Sequence, residues 1–429
     1  MRRAWKYRLY PTPKQEIRLL DTLAACRDLY NTALEDRRTL WKAHRKSTGF
    51  TDQSKYLPKL KSQPDESLHG VNAQVLQDVL HRLDKAFAAF FRRCKEGAKK
   101  KGYPRFKARH RYNSFTYPQY PSGAVVVETK KRHDLLRLHK VGDVPIMLHR
   151  PVEGTIKTCA IVRDVGRWYA VLTTENGAAP APVPLGPGTK AVGVDLGLTH
   201  LLMLSTGEAV GNPRLFRKSE AKVRRFGRRL SRTERRSMNR GKARVRLAKA
   251  HQKVREQRRD FVHKTAKTLV DEFDVVAFER LKVRNMVKNR HLSKSISDAG
   301  WGQLVSVTAS KAEGAGKTVV LVEPAGTTIE CSVCGTAVPK PLSERTHSCP
   351  SCGLVMDRDL NAARNVLRWG MALLSEASHS EQPAGSVPSR VGREPPEHTP
   401  VEMRPLAGGH SAPGQVASSK QEATDFSRW

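Results

Sequence analysis

Residues 191–200 read AVGVDLGLTH, and the reading of the chain turns on the acid at their centre. Ala191 to Val194 are small or apolar, as in a buried strand, and Gly197 just beyond lets the backbone bend close to a ligand. A carboxylate such as Asp195 is costly inside a sheet unless it meets a cation or hydrogen-bond donors. Taken alone, it could equally be a turn aspartate closing a strand. Residues 274–279, DVVAFE, repeat the arrangement, with Val275 to Phe278 forming an apolar run that ends in Glu279. Residues 356–365, MDRDLNAARN, put Asp357 and Asp359 at a helix start, where either could merely cap the first turn. Metal-dependent cleavage of a phosphodiester needs carboxylates converging on one spot, because two Mg²⁺ ions roughly 4 Å apart must be held at the attacked phosphate.

Acids on two strands and a helix start, far apart in the chain, are how an RNase H-like α/β nuclease domain assembles such a cluster. Just ahead of the last acid lies C-x₂-C-x₁₄-C-x₂-C, formed by Cys331, Cys334, Cys349 and Cys352. Four thiolates satisfy a tetrahedral Zn²⁺, and each CxxC turn supplies two of them. Gly335 and Gly353 follow the pairs, as knuckle turns require. A redox pair or an iron–sulfur site would use the same residue type. Four cysteines leave no open position on zinc, so the expected role is structural, and His347 is surplus to the ligand set.

The 429 residues suggest two or three domains, and 77 Lys+Arg against 41 Asp+Glu give a net charge of +36. Such an excess attracts a polyanion, with salt-sensitive binding through counterion release. Nucleic acid is the expected partner, ahead of an anionic membrane surface. Apolar stretches such as HLLMLS and TVVLV are strand-length, short of the ~20 residues a bilayer needs. The opening MRRAWKYRLYPTPK lacks the apolar core of a secretory signal. Paired cysteines, with Cys26, Cys94 and Cys159 isolated, suit a reducing compartment and metal ligation. The expectation is a cytoplasmic protein, nucleoid-associated when on DNA. No GxxxxGK[ST] phosphate loop is present, which argues against ATP hydrolysis.

Along the chain, residues 2–10 read as one strand ended by proline. Helical spacing follows from Thr12 to about Phe91, carried by Leu19, Leu23, Cys26 and Tyr30 and later by Val75, Val79, Leu83 and Phe87. Short β runs occupy about 117–175, with Asp164-Val165-Gly166 as a turn, and AAPAPVPLGPG marks a joint. Next come AVGVDLG and THLLMLS, about fifty residues of arginine-studded helix from Arg214 to Thr268, DVVAFE, a helix around 295–313, and TVVLVEP. The cysteine cluster and the helix NAARNVLRW close the ordered part. Beyond about Gly370 the Ser/Pro/Gly-rich sequence cannot bury enough to offset its ordering entropy, so disorder is expected.

In the arginine helices, runs such as Arg224-Arg225 and Arg228-Arg229 have too few acids nearby for i,i+4 pairing to neutralise them, which favours phosphate contact at Arg224 and Arg228. In KGYPRFKARHRYNSFTYP the aromatics Tyr103, Phe106, Tyr112, Phe115 and Tyr117 alternate with basic residues such as Arg105. That mix suits backbone neutralisation with base stacking, although core-facing aromatics at a strand edge would read similarly.

Together KYRLYPTPKQ, CRDLYNTALEDRR, KGYPRFK, SFTYPQ, GVDLGLTH, SISDAGWGQL, CSVCG, CPSCG and DRDLNAARN resemble the TnpB (OrfB) family, transposon-encoded RNA-guided nucleases similar to type V CRISPR effectors. The resemblance spans residues 1 to about 370. It implies a RuvC-type nuclease domain (188–325 and 356–370) whose catalytic, Mg²⁺-holding acids are Asp195, Glu279 and Asp359, the second aspartate of DRD being the catalytic one. It implies a zinc ribbon (326–355), a helical recognition domain (11–117), a β-barrel wedge domain (1–10 and 118–187) and a disordered tail (371–429). It also implies a guide RNA, double-stranded target DNA cut beside a short transposon-adjacent motif, and a monomer. Gln77 and Thr116 match positions that approach that motif in the family. The chain departs from the family at TTIE before Cys331, where a Ser-Gln pair is common. Alternatives to be weighed are an RNA-guided repressor that does not cut, a DDE-type transposase on the same fold, and a zinc-dependent transcription factor, which leaves the acids idle.

Overall fold

In the computed structural model, residues 1–62, 68–129, 133–178, 180–341 and 343–379 are described below. Strand β1 (Arg2–Leu9) leads into helices α1 (Pro13–His44), α2 (Phe50–Lys61) and α3 (Ala73–Lys95). Strands β2 (Ser114–Tyr117), β3 (Ala124–Val127), β4 (Asp134–Leu138), β5 (Gly142–Met147), β6 (Thr155–Asp164) and β7 (Arg167–Glu175) follow. Then come β8 (Ala191–Leu196), β9 (His200–Leu204), β10 (Ala209–Gly211), α4 (Leu215–Ser231), α5 (Met238–Glu272) and β11 (Val275–Glu279). Short helices α6 (Val283–Met286) and α7 (Ser293–Ala299) precede α8 (Trp301–Gly314), β12 (Thr318–Val322), the hairpin β13 (Thr346–Ser348) and β14 (Val355–Asp357), and α9 (Arg358–His379).

The first half is a seven-stranded antiparallel sheet in the order β2-β6-β7-β1-β5-β4-β3. The first strand is central: all eight of its residues pair with β7, and its last two also pair with β5. Alternate residues Trp5, Tyr7 and Leu9 are buried, the period of two that a half-buried strand requires. The outer strands β2 and β3 share no ladder among the described residues. Helix α1 starts at a capping box, with Thr12 accepting from Gln15 N while the Gln15 side chain accepts from Thr12 N. The sheet and helices α1 and α3 bury one continuous core that runs from Tyr7 through Leu19 and Leu83 to Ile146. Strand β2, which falls within the range 11–117 expected for the helical recognition domain, pairs with β6 in this sheet, as the strand-edge reading of its aromatics allowed.

The second half has its own core around a five-stranded sheet in the order β10-β9-β8-β11-β12. β8 and β9 form an antiparallel hairpin, whereas β8, β11 and β12 run parallel. Parallel neighbours need crossovers, supplied here by α4–α5 and by α6–α8. All five residues of β11 are buried, so its uniform apolar run, not alternation, is the signature of a strand covered on both faces. Helix α9 lies against the sheet with no room between the backbones. A Cβ on Gly193 would fall 2.1 Å from the Ala363 carbonyl oxygen, and one on Gly370 would fall 2.7 Å from the Ala277 Cβ.

Three expectations need adjustment. The arginine-rich stretch is two helices broken over 232–237, where Ser237 caps α5 by accepting from Arg240 N. The last helix runs on to His379 instead of ending near Gly370. Met371, Ala372, Leu373 and Leu374 are strong helix formers, and the flanking composition masked them. The rest of the tail expected to be disordered, from residue 380, lies outside the described residues. Gly197 serves a turn: a Cβ there would lie 2.7 Å from the His200 carbonyl oxygen, inside the tight return from β8 to β9.

Candidate active site and cysteine cluster

Register sets the first two acids side by side. Phe278 pairs with Val194 across the parallel strands, so the next residues, Glu279 and Asp195, stand together at the carboxyl ends of β11 and β8. That edge of a parallel sheet is the usual place for a ligand. The third acid comes from the start of α9, and the structure separates the two candidates for its cap. Asp357 Oδ1 accepts from the amides of Asp359 (2.8 Å) and Leu360 (3.0 Å), so Asp357 caps the helix. Asp359 is thereby left to face its fellow acids.

All three are shielded from water. Asp195 is 9% exposed, Glu279 7%, and the Asp359 side chain 15%. Burial, followed by repulsion from Glu279 and then Asp359, raises the Asp195 carboxyl well above the usual range. Burial likewise raises Glu279, against the pull of a hydroxyl that donates to it. Asp359 Oδ1 accepts from Arg358 at 3.0 Å, and its Oδ2 lies 3.4 Å from Arg345 Nη1. The Asp195 carboxylate has no hydrogen-bond partner among the described residues, while Glu279 Oε1 accepts from Thr327 Oγ1 at 2.6 Å. The three carboxylates are near enough to repel one another, but they are not gathered tightly around one point. Three carboxylates supply hard oxygen donors, and the buried Asp195 among them has no hydrogen-bond partner among the described residues; that donor set fits a divalent cation.

Among the described residues, the one group tight enough to hold a single ion is Cys331, Cys334, Cys349 and Cys352, whose sulfurs all lie within 4.8 Å of one another. Each pair forms the same turn. Gly335 N donates to Cys331 O and Gly353 N to Cys349 O, with both glycines at positive φ (76° and 72°), where a side chain would be strained. The hydroxyl of Thr336, first among the causes, lowers the Cys334 thiol to about 6. His347 is buried beside the cluster with its Nδ1 2.6 Å from Lys340 Nζ, outside the quartet. By contrast Cys26 and Cys159 are fully buried, and burial pushes both thiols up to about 12.

The cluster is tied to α9 by two buried asparagines one turn apart. Asn361 Nδ2 donates to Glu330 O (2.7 Å) while its Oδ1 accepts from Ser332 N (2.9 Å), and Asn365 Nδ2 donates to Thr327 O (2.9 Å) and Glu330 O (2.7 Å). Sequence analysis missed these residues, along with Thr327, Arg345 and Asp298. Two asparagines four apart on an otherwise apolar helix face were the available signal for the first pair. Asp298 is buried and caps α4 by accepting from Phe216 N (2.9 Å) and Arg217 N (3.3 Å), while also taking Arg258 of α5 (2.8 Å).

The remaining candidates lie away from the acids. Arg224 and Arg228 line a concave surface on α4 with Arg225, Arg229 and Arg232. Arg224 also pairs with Glu220 at 3.0 Å, so the acids there are not wholly absent. Gln77 is exposed on α3. The Thr116 hydroxyl accepts from Arg82 Nη2 (2.6 Å). Arg105 is exposed, and Phe106 is 43% exposed beneath the guanidinium of Arg38. No helix among the described residues is long and apolar enough to cross a membrane.

Comparison with known proteins agrees with this organisation. A family model described as a probable transposase matches residues 173–290, and one described as a Cas12f1-like TNB domain matches 301–366. A third, described as a helix-turn-helix domain, matches 1–46, where the structure has a strand and one long helix. A putative RNA-guided DNA endonuclease of Streptomyces pristinaespiralis is 38% identical, over 87% of this chain and 90% of that protein. The putative RNA-guided DNA endonuclease InsQ of Escherichia coli K12 is 29% identical, over 90% of this chain and 98% of its own length. The Cas12f1 chain in a Cas12f1–sgRNA–target DNA complex shares the fold at a TM-score of 0.56 and 14% identity, with 82% of each chain covered. By its likeness to full-length relatives, its α/β fold and its motifs, this chain belongs to the TnpB (OrfB) family.

Proposed function

We propose that the protein is an RNA-guided DNA endonuclease that cleaves target DNA beside a short adjacent motif. The observation that carries this reading is the convergence of buried Asp195 and Glu279 and half-buried Asp359 from two parallel strands and a helix start, close enough to repel. In this reading the five-stranded sheet with α5, α8 and α9 is a RuvC-type, RNase H-like nuclease domain (188–325 and 356–370). Residues 326–355 form a zinc ribbon. The seven-stranded sheet (1–10 and 118–187, joined by β2) is the wedge, and the helices within 11–117 are the recognition lobe. The last two share a core, so they are expected to move as one body.

Asp195, Glu279 and Asp359 would hold two Mg²⁺ ions, which would supply activation of a water and charge stabilisation for phosphodiester cleavage. The protein's own part is to fix three oxygens in register, to exclude bulk water, and to position the strand. Cys331, Cys334, Cys349 and Cys352 hold one structural Zn²⁺, and the asparagine clamp on α9 sets the ribbon against the site. Sequence discrimination is left to base pairing by the guide, while cations such as Arg224 and Arg228 meet backbone phosphates and Arg105, Phe106, Gln77 and Thr116 lie along the nucleic-acid path.

The test is purification from the host with its bound RNA, sequencing of that RNA, and a Mg²⁺-dependent assay on a plasmid carrying the matching target beside a randomised flank. Guided cutting beside a defined motif, abolished by Asp195→Ala, is the expected result. Guided binding without cutting would replace this reading by that of an RNA-guided repressor, and strand-transfer products by that of a transposase.

A further inference from the structure

We propose that Thr327 is a positioning residue for Glu279, fixing which carboxylate oxygen faces the site and linking that glutamate to the cysteine cluster. This inference rests on the nuclease reading above and adds to it a residue and a route. Thr327 is 1% exposed, and its hydroxyl donates to Glu279 Oε1 at 2.6 Å. The next acceptor in reach, Pro324 O, is farther at 3.1 Å. A hydroxyl has one proton to give, and the shorter contact assigns it to Glu279 Oε1, which is thereby held in place, while Oε2 has no hydrogen-bond partner among the described residues. Glutamate reaches its site through three rotatable bonds, and a single buried hydrogen bond removes much of that freedom.

The same short segment is held at its other points. The Thr327 carbonyl accepts from Asn365, the Glu330 carbonyl accepts from both Asn361 and Asn365, and the amide of Ser332, directly after Cys331, donates to Asn361. Arg368 pairs with the Glu330 carboxylate at 3.0 Å. Six residues therefore connect the first cysteine pair, the helix that carries Asp359, and the carboxylate of Glu279. A shift of the cysteine turn is passed to Glu279 through Thr327, and the TTIE sequence is the segment that passes it.

The experiment compares Thr327→Val, Thr327→Ser and wild type as full-length protein purified with its host RNA, on a target matched to that RNA. Removing a hydrogen-bonded supporting partner of a metal ligand typically lowers metal affinity or activity about 10–100-fold. Thr327→Val, which keeps the shape and loses the proton, is expected to lower kcat in that range while KM for the target plasmid stays within about two-fold. Its affinity for Mn²⁺, read as the fraction of free ion by electron paramagnetic resonance without any turnover, falls in parallel. Thr327→Ser restores both. Should the valine protein fail to fold, Thr327→Ala, smaller and likewise without a donor, takes its place with the same expectation. Wild-type kcat and Mn²⁺ affinity in the valine variant, or in Thr327→Ala where valine does not fold, would overturn the proposal, and so would a loss the serine variant does not rescue. A wild-type protein that does not cut, in the same series, refutes the nuclease reading instead.

Discussion

Asp195→Asn offers the sharpest test, because it moves stability and activity in opposite directions. The substitution keeps the shape of the side chain and removes a charge that sits 9% exposed, with no hydrogen-bond partner among the described residues and with repulsion from Glu279, Asp359 and Asp357 against attraction from Arg358. A buried polar group lacking its partner costs about 1–3 kcal/mol, and more when charged. The new amide is still a polar group in the same buried place, so a net gain at the low end, about 1–2 kcal/mol without added Mg²⁺, is expected. For a unit of 150–250 residues each kcal/mol moves Tm by roughly 2–4 °C. Thermal melts at fixed ionic strength should therefore show the variant melting ~2–8 °C above wild type without Mg²⁺, and the gap closing as Mg²⁺ stabilises wild type alone.

The sign of the pH dependence follows from the same groups. Asp195 and Glu279 bind protons more tightly folded than at their ordinary values of 3.8 and 4.5, so the native state holds more protons between those values and the raised ones. Their contribution is present below the ordinary values and lost as pH rises through the raised ones. Metal-free wild type thus gains stability as pH falls from neutral, and the variant shows a flatter slope. A lower Tm for the variant without Mg²⁺, or retained cleavage, would refute the reasoning.

Other expectations follow from the same geometry. Cys334→Ser should release zinc and disorder the ribbon, which is visible as a zinc-to-protein ratio falling from one toward zero by atomic absorption, with cleavage disappearing together with it. Gly193→Ala forces a methyl to 2.1 Å from the Ala363 carbonyl, so α9 must shift; overpacking of about 1–3 kcal/mol and a fall in cutting are expected, read by denaturant melts beside the plasmid assay. Replacing Arg224 and Arg228 with Gln should reduce the slope of log K against log salt by about 0.9 for each phosphate left without its cation, measured by fluorescence anisotropy on the matched target, with melting unchanged.

The strands bearing Asp195 and Glu279 were legible because an apolar run too short for a helix, closed by an acid, is the pattern of a buried strand ending at a polar site. The cysteine spacing was legible because four ligands in two identical turns repeat a pattern. The choice between Asp357 and Asp359 was not legible from helix position alone. It depends on which carboxylate turns back onto the first amides, and that is a matter of rotamer. Thr327 left no trace, since a loop residue bonded to a strand 48 positions away has no periodicity to betray it. Asp298 was hidden for the same reason, because it caps a helix 82 positions earlier in the chain. The break between α4 and α5 was masked by arginine on both sides, although Ser237 at the start of α5 was a usable capping signal.

The order of the acids along the chain has a consequence during synthesis. Asp195 and Glu279 lie on strands that can pair as soon as β11 is made, but Asp359 arrives only with α9, the last described element. A nascent chain therefore carries its arginine helices, and their affinity for polyanions, well before it has three carboxylates to work with. In the proposed reading, a product interrupted ahead of Arg358 is expected to bind nucleic acid and to leave it whole. Cutting therefore waits, in that reading, on the last described helix to be made.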